Sequence, residues 1–407
     1  MIRSMVLGPN LPFPTRGGPD MRAWQLVNAL VELGPVGVFG LRQESNTRPP
    51  DDRITMWRSG SDDALLTTDS LLDLSWMAER DGLPSSRYYS ELVASEIRDA
   101  VDAFRPQVVV VEGIWLARYL DVVSQAPSIV LDAHNVETAL HREIAAVQRH
   151  PAAKLVHTEF AKRVAWLEEA TFAEVDQIWV CSEEDQRLIG ELWSEAAPVH
   201  VVQNGVEVGP LAAPDDGASA DRHDYGARAV LFTGQFSYLP NQIAARCLID
   251  EVFPELGASF LDARLLLVGR FPTDDMEAAA RRDDRIVATG SVVDTLPYLR
   301  AASVMAVPLF QGGGTRFKIL EAFAAGLPVV TTPKGAEGIE VAEGTHVMFG
   351  NDAAEIRDGI MHLWRNPSAG DELVTNAHEL VRRRYSWGTV AAAVAGALEA
   401  LPMASAR

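Results

Sequence analysis

Short runs of β-branched and aliphatic residues recur along the chain, each followed by a stretch whose apolar positions fall three or four apart. Alternation of that kind marks parallel α/β sheets. In the first half it predicts strands over residues 2–7, 36–41, 108–112, 128–131, 177–181 and 199–202. Helices are expected over 21–33, behind a candidate cap at Asp20, and over 91–104, 136–147 and 154–174. Residues 46–86 are polar and broken by proline, and read as loop with some helix. The texture changes after Val206. Residues 207–228, with Pro210, Pro214 and Asp215-Asp216-Gly217, carry little apolar period and read as an interdomain linker. The alternation then restarts, with strands over 229–233, 264–268, 285–288, 304–307 and 328–331 and helices over 242–256, 294–301, 316–325 and 353–365. Residues 370–401 are helical again, long enough to cap their own domain or to cross back to the first. The expectation is an α/β protein of two doubly wound Rossmann-like domains facing a cleft: 1–206 on the acceptor side and 229–407 on the nucleotide side.

Length agrees, since 407 residues exceed what one core normally serves. No stretch reaches the roughly 18 to 20 apolar residues of a membrane span. The opening Met1-Ile-Arg-Ser-Met-Val-Leu runs directly into a strand, which is unlike a signal peptide. A cytoplasmic address is expected, with a peripheral membrane position left open. Cys181 and Cys247 sit in apolar patterns and read as buried free thiols. Net charge is −20 with no basic run, which argues against nucleic acid, whose phosphates are met by concentrated Lys and Arg. A small anion held by a few aimed donors stays compatible with that charge. Lysine occurs only at 154, 162, 318 and 334 among 36 basic residues, which draws attention to Lys318.

Ligands of open parallel sheets bind beyond the carboxyl ends of the strands. There the first half carries Gly17-Gly18-Pro19-Asp20, Glu112-Gly113-Ile114-Trp115, Asp132-Ala133-His134-Asn135 and Gln203-Asn204-Gly205. The second half carries Gly234-Gln235, Gly269-Arg270 and the run from Pro308 to Lys318. Any one of these glycines is explained by turn geometry alone. Three glycines at 312–314 directly before a helix are a stronger signal, because they leave backbone amides uncovered where the helix dipole favours an anion. Arg316 and Lys318 oppose that dipole, a conflict a bound phosphate removes. No G-x-G-x-x-G, P-loop, H-E-x-x-H or C-x-x-C pattern occurs, so dinucleotide dehydrogenases, P-loop kinases and zinc sites lose their main support.

The run Gly312-Gly-Gly-Thr-Arg-Phe-Lys-Ile-Leu-Glu321 through Pro328-Val-Val-Thr331, followed by Gly335-Ala-Glu-Gly338, resembles the donor-binding segment of the large retaining GT-B glycosyltransferase family that includes sucrose-phosphate synthases and bacterial cell-surface enzymes. Asn204-Gly205-Val206, Phe232 to Asn241, the Gly17-Gly18 loop and Asp132-Ala-His134-Asn135 resemble further motifs of that family. The resemblance implies transfer of a sugar from a nucleotide-sugar to an unidentified acceptor, without cofactor or metal. Glu321 would accept hydrogen bonds from the ribose hydroxyls. Gly234, Gly313, Gly314 and Thr315 would line the donor, Gly17 and Gly18 would let the first-domain loop approach its phosphates, and His134 would lie near the transferred sugar. Glu112, Trp115 and Asn135 fall on the acceptor side. A solvated helix carboxylate at 321 and an ordinary loop histidine at 134 are the plain alternatives.

Two departures from the family pattern stand out. Gly313 occupies the position of the first of two paired glutamates, and residues 234–241 hold no basic pair. Arg316 and Lys318 are the candidates to supply that charge and, with His134, are expected to carry catalysis. A nucleotide-sugar epimerase on the same fold and a non-catalytic partner of an active transferase are the rival readings.

Overall fold

The computed structural model describes residues 1–44, 48–62, 88–148, 150–209, 225–313 and 316–401. The chain divides into two compact units, Met1–Asn204 with Trp387–Arg407, and Gly205–Ser386. Each is built on one parallel sheet flanked by helices, so the expected α/β class of two Rossmann-like halves holds.

In the first unit the strands are β1 (Ser4–Gly8), β2 (Val36–Gly40), β3 (Ile54–Ser59), β4 (Val108–Glu112), β5 (Ser128–Ala133), β6 (Gln177–Val180) and β7 (Val199–Val201), in spatial order 3-2-1-4-5-6-7. The valine run of β4 is buried on both faces, as central parallel strands require. Alternation sorts its side chains: Val109 and Val111 enter the core beneath helix Glu91–Phe104, while Val108 and Val110 join the core shared by helices Gly18–Val31 and Trp387–Glu399. That last helix buries Val390, Val394 and Leu398 and accepts a hydrogen bond from Gln177 Nε2 at the Ala397 carbonyl, 2.8 Å.

The second unit has β8 (Ala229–Thr233), β9 (Arg264–Val268), β10 (Ile286–Ala288), β11 (Val304–Val307), β12 (Val329–Thr331) and β13 (Met348–Phe349), in order 10-9-8-11-12-13, around one continuous core.

Several elements differ from expectation. The edge strand β3 lies inside the stretch read as loop, and helices Glu183–Leu192 and Asp274–Arg282 were not anticipated. The first helix starts at Gly18, with Gly17 at the cap position. Asp20 lies inside its first turn, where it accepts from the Arg16 amide, 3.1 Å. The single helix expected over 370–401 is two, Pro367–Arg384 and Trp387–Glu399. Helix 242–256 is interrupted by a π-turn at Leu248–Val252. Most of the expected linker, and much of residues 46–86, lie outside the described residues. Both cysteines are buried thiols outside any disulfide, and burial pushes each up to about 12.

Candidate active site

In the first unit, parallel register sets Glu112 at the end of β4 directly beside Asp132 of β5. Both side chains are fully buried. His134, two residues on, turns its Nε2 to Glu112 Oε2 at 2.8 Å and to Asp132 Oδ2 at 3.3 Å. Helix Gly18–Val31 supplies Arg22, only 2% exposed. Its Nε donates to Asp132 Oδ2 at 2.7 Å, and its Nη2 pairs with Asp132 Oδ1. Nη1 donates to the Val202 carbonyl at 2.7 Å and to Asn204 Oδ1 at 2.9 Å.

Four ionisable groups thus share one largely buried site, and each perturbs the others. Burial lowers the affinity of His134 for its proton, yet its two carboxylate neighbours outweigh this and bring it up to about 9. Burial, reinforced by Asp132, raises Glu112 to about 7, and its Oε1 has no hydrogen-bond partner among the described residues. Burial would raise Asp132 too, but the Arg22 guanidinium holds it well below the usual carboxylate range. Ligand atoms of Glu112, Asp132 and His134 lie within 4.8 Å of one another, close enough for a metal. The donor set does not fit one. Both Asp132 oxygens are engaged by a guanidinium, whose positive charge would lie directly behind that ligand and repel a bound cation.

The other expected residues of this unit lie on neighbouring loops. Trp115 is half-buried and stacks with Tyr88, ring centroids 6.4 Å apart, and packs on Phe160 at 5.8 Å. Asn135 donates to Glu137 Oε1 at 3.1 Å. Gly17 has an extended backbone, φ 175°, and its carbonyl accepts from the Met21 amide.

In the second unit the ends of β8 and β9 touch through backbone. Gly269 adopts φ +145°, and a Cβ there would run into the Gly234 carbonyl. A Cβ on Gly234 would in turn meet the Asn241 amide at 2.9 Å. Asn241 Nδ2 donates to the Gln235 carbonyl, 2.9 Å, and its Oδ1 accepts from Lys318 Nζ, 2.9 Å. Lys318 belongs to helix Phe317–Ala325 but reaches back to the end of β8, with Nζ 4.2 Å from the centre of the Phe232 ring. Burial and the nearby Arg316 lower it to about 7, against the pull of Glu321. Glu321, one turn further along, is half-buried and makes no hydrogen bond or ion pair among the described residues. Burial raises it to about 7, with Lys318 opposing.

Arg316 opens helix Phe317–Ala325 directly behind the glycine loop. It stands at the cap position, buried, with Nη2 donating to the Gly312 carbonyl at 2.6 Å and Nη1 to that of Gly313. Its charge braces the glycine loop from inside. Gly313 itself is half-buried, and Gly314 and Thr315 lie outside the described residues. Thr332 ties this loop to the next, accepting from the Gly335 amide at 2.7 Å and donating to the Leu309 carbonyl.

Arg22 and Asn204 were not singled out as a pair from the sequence, since 182 residues separate them. The only local signal for Arg22 is an arginine near the start of a helix that opens Gly18-Pro19-Asp20, close enough to the positive end for its charge to oppose the dipole.

Residues 227–366 match the family model of glycosyl transferases group 1. A phosphatidyl-myo-inositol mannosyltransferase of Mycobacterium leprae is 29% identical over 198 residues, which is 47% of this chain and 51% of that protein. The chain thus matches about half the length of this relative. Among solved structures, sucrose-phosphate synthase from Thermosynechococcus elongatus superposes with a TM-score of 0.72 at 18% identity, covering 98% of each chain. Anabaena HepE in complex with UDP and glucose gives 0.69 at 14% identity, covering 98% of this chain and all of that one, 100%. Residues 227–366 thus resemble a group 1 glycosyl transferase domain, and the fold of the chain is the GT-B fold.

Proposed function

We propose that the protein transfers a glycosyl group from a nucleoside-diphosphate sugar to an acceptor hydroxyl, with retention of anomeric configuration and without a metal ion. The observation that carries this reading is the pair Lys318 and Glu321. They lie one turn apart at the carboxyl end of the second sheet. Among the described residues Lys318 hydrogen-bonds only to a neutral amide and packs on an aromatic face, and Glu321, whose field it feels, has no hydrogen-bond partner. A nucleoside diphosphate offers what each lacks: an anion for the ammonium, and the vicinal ribose hydroxyls for the carboxylate. The mannosyltransferase relative and the HepE complex with UDP and glucose support this donor class.

In the reaction, the bond from the anomeric carbon to the diphosphate oxygen breaks and the acceptor oxygen bonds to that carbon on the same face. The acceptor proton passes to an oxygen of the departing diphosphate, so no protein nucleophile is needed. Lys318 would meet the charge that develops on the leaving group, in a half-buried site where such contacts are strong. His134 is the group we assign to the transferred sugar. Trp115, on its Tyr88 and Phe160 support, offers an aromatic face for an acceptor ring.

A thermal-shift panel of UDP-, GDP- and ADP-sugars, followed by NMR of the product formed from the best binder, tests the proposal. Retained anomeric configuration, undiminished by a chelator, is expected. An inverted product, or epimerised donor without any acceptor, would overturn it.

A further inference from the structure

We propose that Arg22 and Glu112 are positioning residues for His134: Arg22 occupies both oxygens of Asp132, which commits His134 Nε2–H to Glu112 and leaves Nδ1 as the ring nitrogen offered to a ligand. The inference deepens the assignment of this strand edge as ligand-facing, but its test uses no substrate, so it can fail or stand independently of the proposed reaction.

The argument is one of hydrogen-bond supply. A single N–H shared between two carboxylates bonds best to the one it points at, and His134 Nε2 stands between two. Asp132 already receives two charge-assisted bonds from Arg22 in the fork geometry that suits a carboxylate. Arg22 cannot swing away, because its third nitrogen is anchored on Val202 and Asn204. Glu112 is in the opposite condition. Its Oε1 has no partner among the described residues, so the His134 proton is the one hydrogen bond its carboxyl receives there. The shorter contact, 2.8 Å against 3.3 Å, follows that need.

The other charged or titratable groups facing His134 reinforce the arrangement. Glu137, on the helix that follows, adds a further negative neighbour. Cys181, beyond β6, donates through Sγ to the His134 carbonyl at 3.6 Å and fixes the backbone under the ring. Nδ1 has no hydrogen-bond partner among the described residues, and the side chain is 20% exposed. With the ring held protonated by its two carboxylate neighbours, Nδ1–H is a donor on a cation, suited to a sugar oxygen or a phosphate.

The test is NMR titration of the histidine rings in the full chain, for wild type, Glu112→Gln, Arg22→Lys and the double variant. Glu112→Gln keeps the shape and removes the charge, and should lower the His134 pKa by at least about one unit, a tenfold loss of proton affinity. Arg22→Lys keeps the charge and loses the two-pronged grip, freeing Asp132 to take Nε2–H. In that background the Glu112→Gln shift should fall to less than half. An unchanged His134 titration in Glu112→Gln overturns the proposal, and so does a full-sized shift in the double variant. If Arg22→Lys does not fold, carboxyl titration of the wild-type chain decides instead. Asp132 ionised below the ordinary carboxylate range while Glu112 titrates near neutrality supports the proposal, and the reverse order sinks it.

Discussion

If a nucleotide-sugar binds between Lys318 and Glu321, protons should move when it arrives, and their number should change sign near neutral pH. Both groups titrate at about 7 in the free protein, Lys318 lowered from 10.5 and Glu321 raised from 4.5. The diphosphate anion favours charged lysine, and donated ribose hydroxyls favour ionised glutamate. At pH 8 Lys318 holds about 0.1 of a proton charge, so binding that lifts its pKa by two units or so takes up about 0.8. Glu321 is already about 0.9 ionised there and releases about 0.1. At pH 6 the roles exchange and about 0.8 of a proton is released. At pH 7 the two nearly cancel.

The assay is calorimetry of nucleotide-sugar binding in buffers of differing ionisation enthalpy at those three values. A nucleotide-sugar is preferred over a free diphosphate, whose own terminal phosphate titrates in this range. Lys318→Met should abolish the uptake at pH 8 and keep the release at pH 6, and Glu321→Gln should do the reverse. His134 stays charged from pH 6 to 8 and is silent. A proton count that is flat with pH, or unmoved by both substitutions, would refute the placement of the nucleotide at this pair.

Three further outcomes follow from the fold and the first site. Gly269→Ala forces a Cβ into the Gly234 carbonyl at a positive φ, and should cost at least about 2 kcal/mol in the denaturant midpoint; a neutral result would mean that the β8 and β9 ends separate freely. Val394→Asp places a charge in the fully buried contact between the last helix and helix Gly18–Val31, and should cost at least about 3 kcal/mol in the first unit while the second unit's hydrogen-exchange protection is unchanged. His134, raised from 6.5 to about 9, contributes stability that is full below pH 6.5 and is lost as pH rises through 9, so His134→Gln should flatten denaturation midpoints over that window.

The parts of the fold visible in the sequence were those where one signal dominated. β4, β8, β9 and β11 each carry at least three consecutive apolar residues, and their observed limits coincide with the expected ones. Helix Glu91–Phe104 likewise matches, with Ser90 Oγ accepting from the Val93 amide at its start and Arg105 at φ 51° ending it. β3 was hidden because an edge strand buries little: only Ile54 and Trp57 of its six residues are buried, and a register shift against β2 breaks the two-residue period. Helix Glu183–Leu192 has a short capping signal in the sequence, Ser182 three residues before Asp185, whose amide it caps at 3.1 Å. At the sites, residue types at strand ends pointed to Glu112, His134 and Lys318, while Glu321 came from the resemblance to the glycosyltransferase family. What could not be read was direction. Arg316 and Lys318 are two residues apart, yet one folds under its own loop and the other spans to Asn241, a choice made by packing against Phe232 and by carbonyls that only the folded loop presents.

The two strand edges meet the same electrostatic problem in opposite ways. Burying a charge is costly unless partners repay it. In the first unit they do: Arg22, Asp132, His134 and Glu112 form a chain in which each cation touches a carboxylate, and the raised His134 and depressed Asp132 record the mutual stabilisation. Such a site is set before any ligand arrives, and a ligand can use its orientation without reorganising it. In the second unit no such chain forms among the described residues. Lys318 and Glu321 are each pushed toward their neutral forms, the signature of charges held in place without adequate partners. A helix kept only for stability would gain by replacing both with apolar residues. Their presence together, one turn apart at a glycine-rich strand end, is accounted for when the missing partners come from outside the chain, an anion on one side and a pair of hydroxyls on the other.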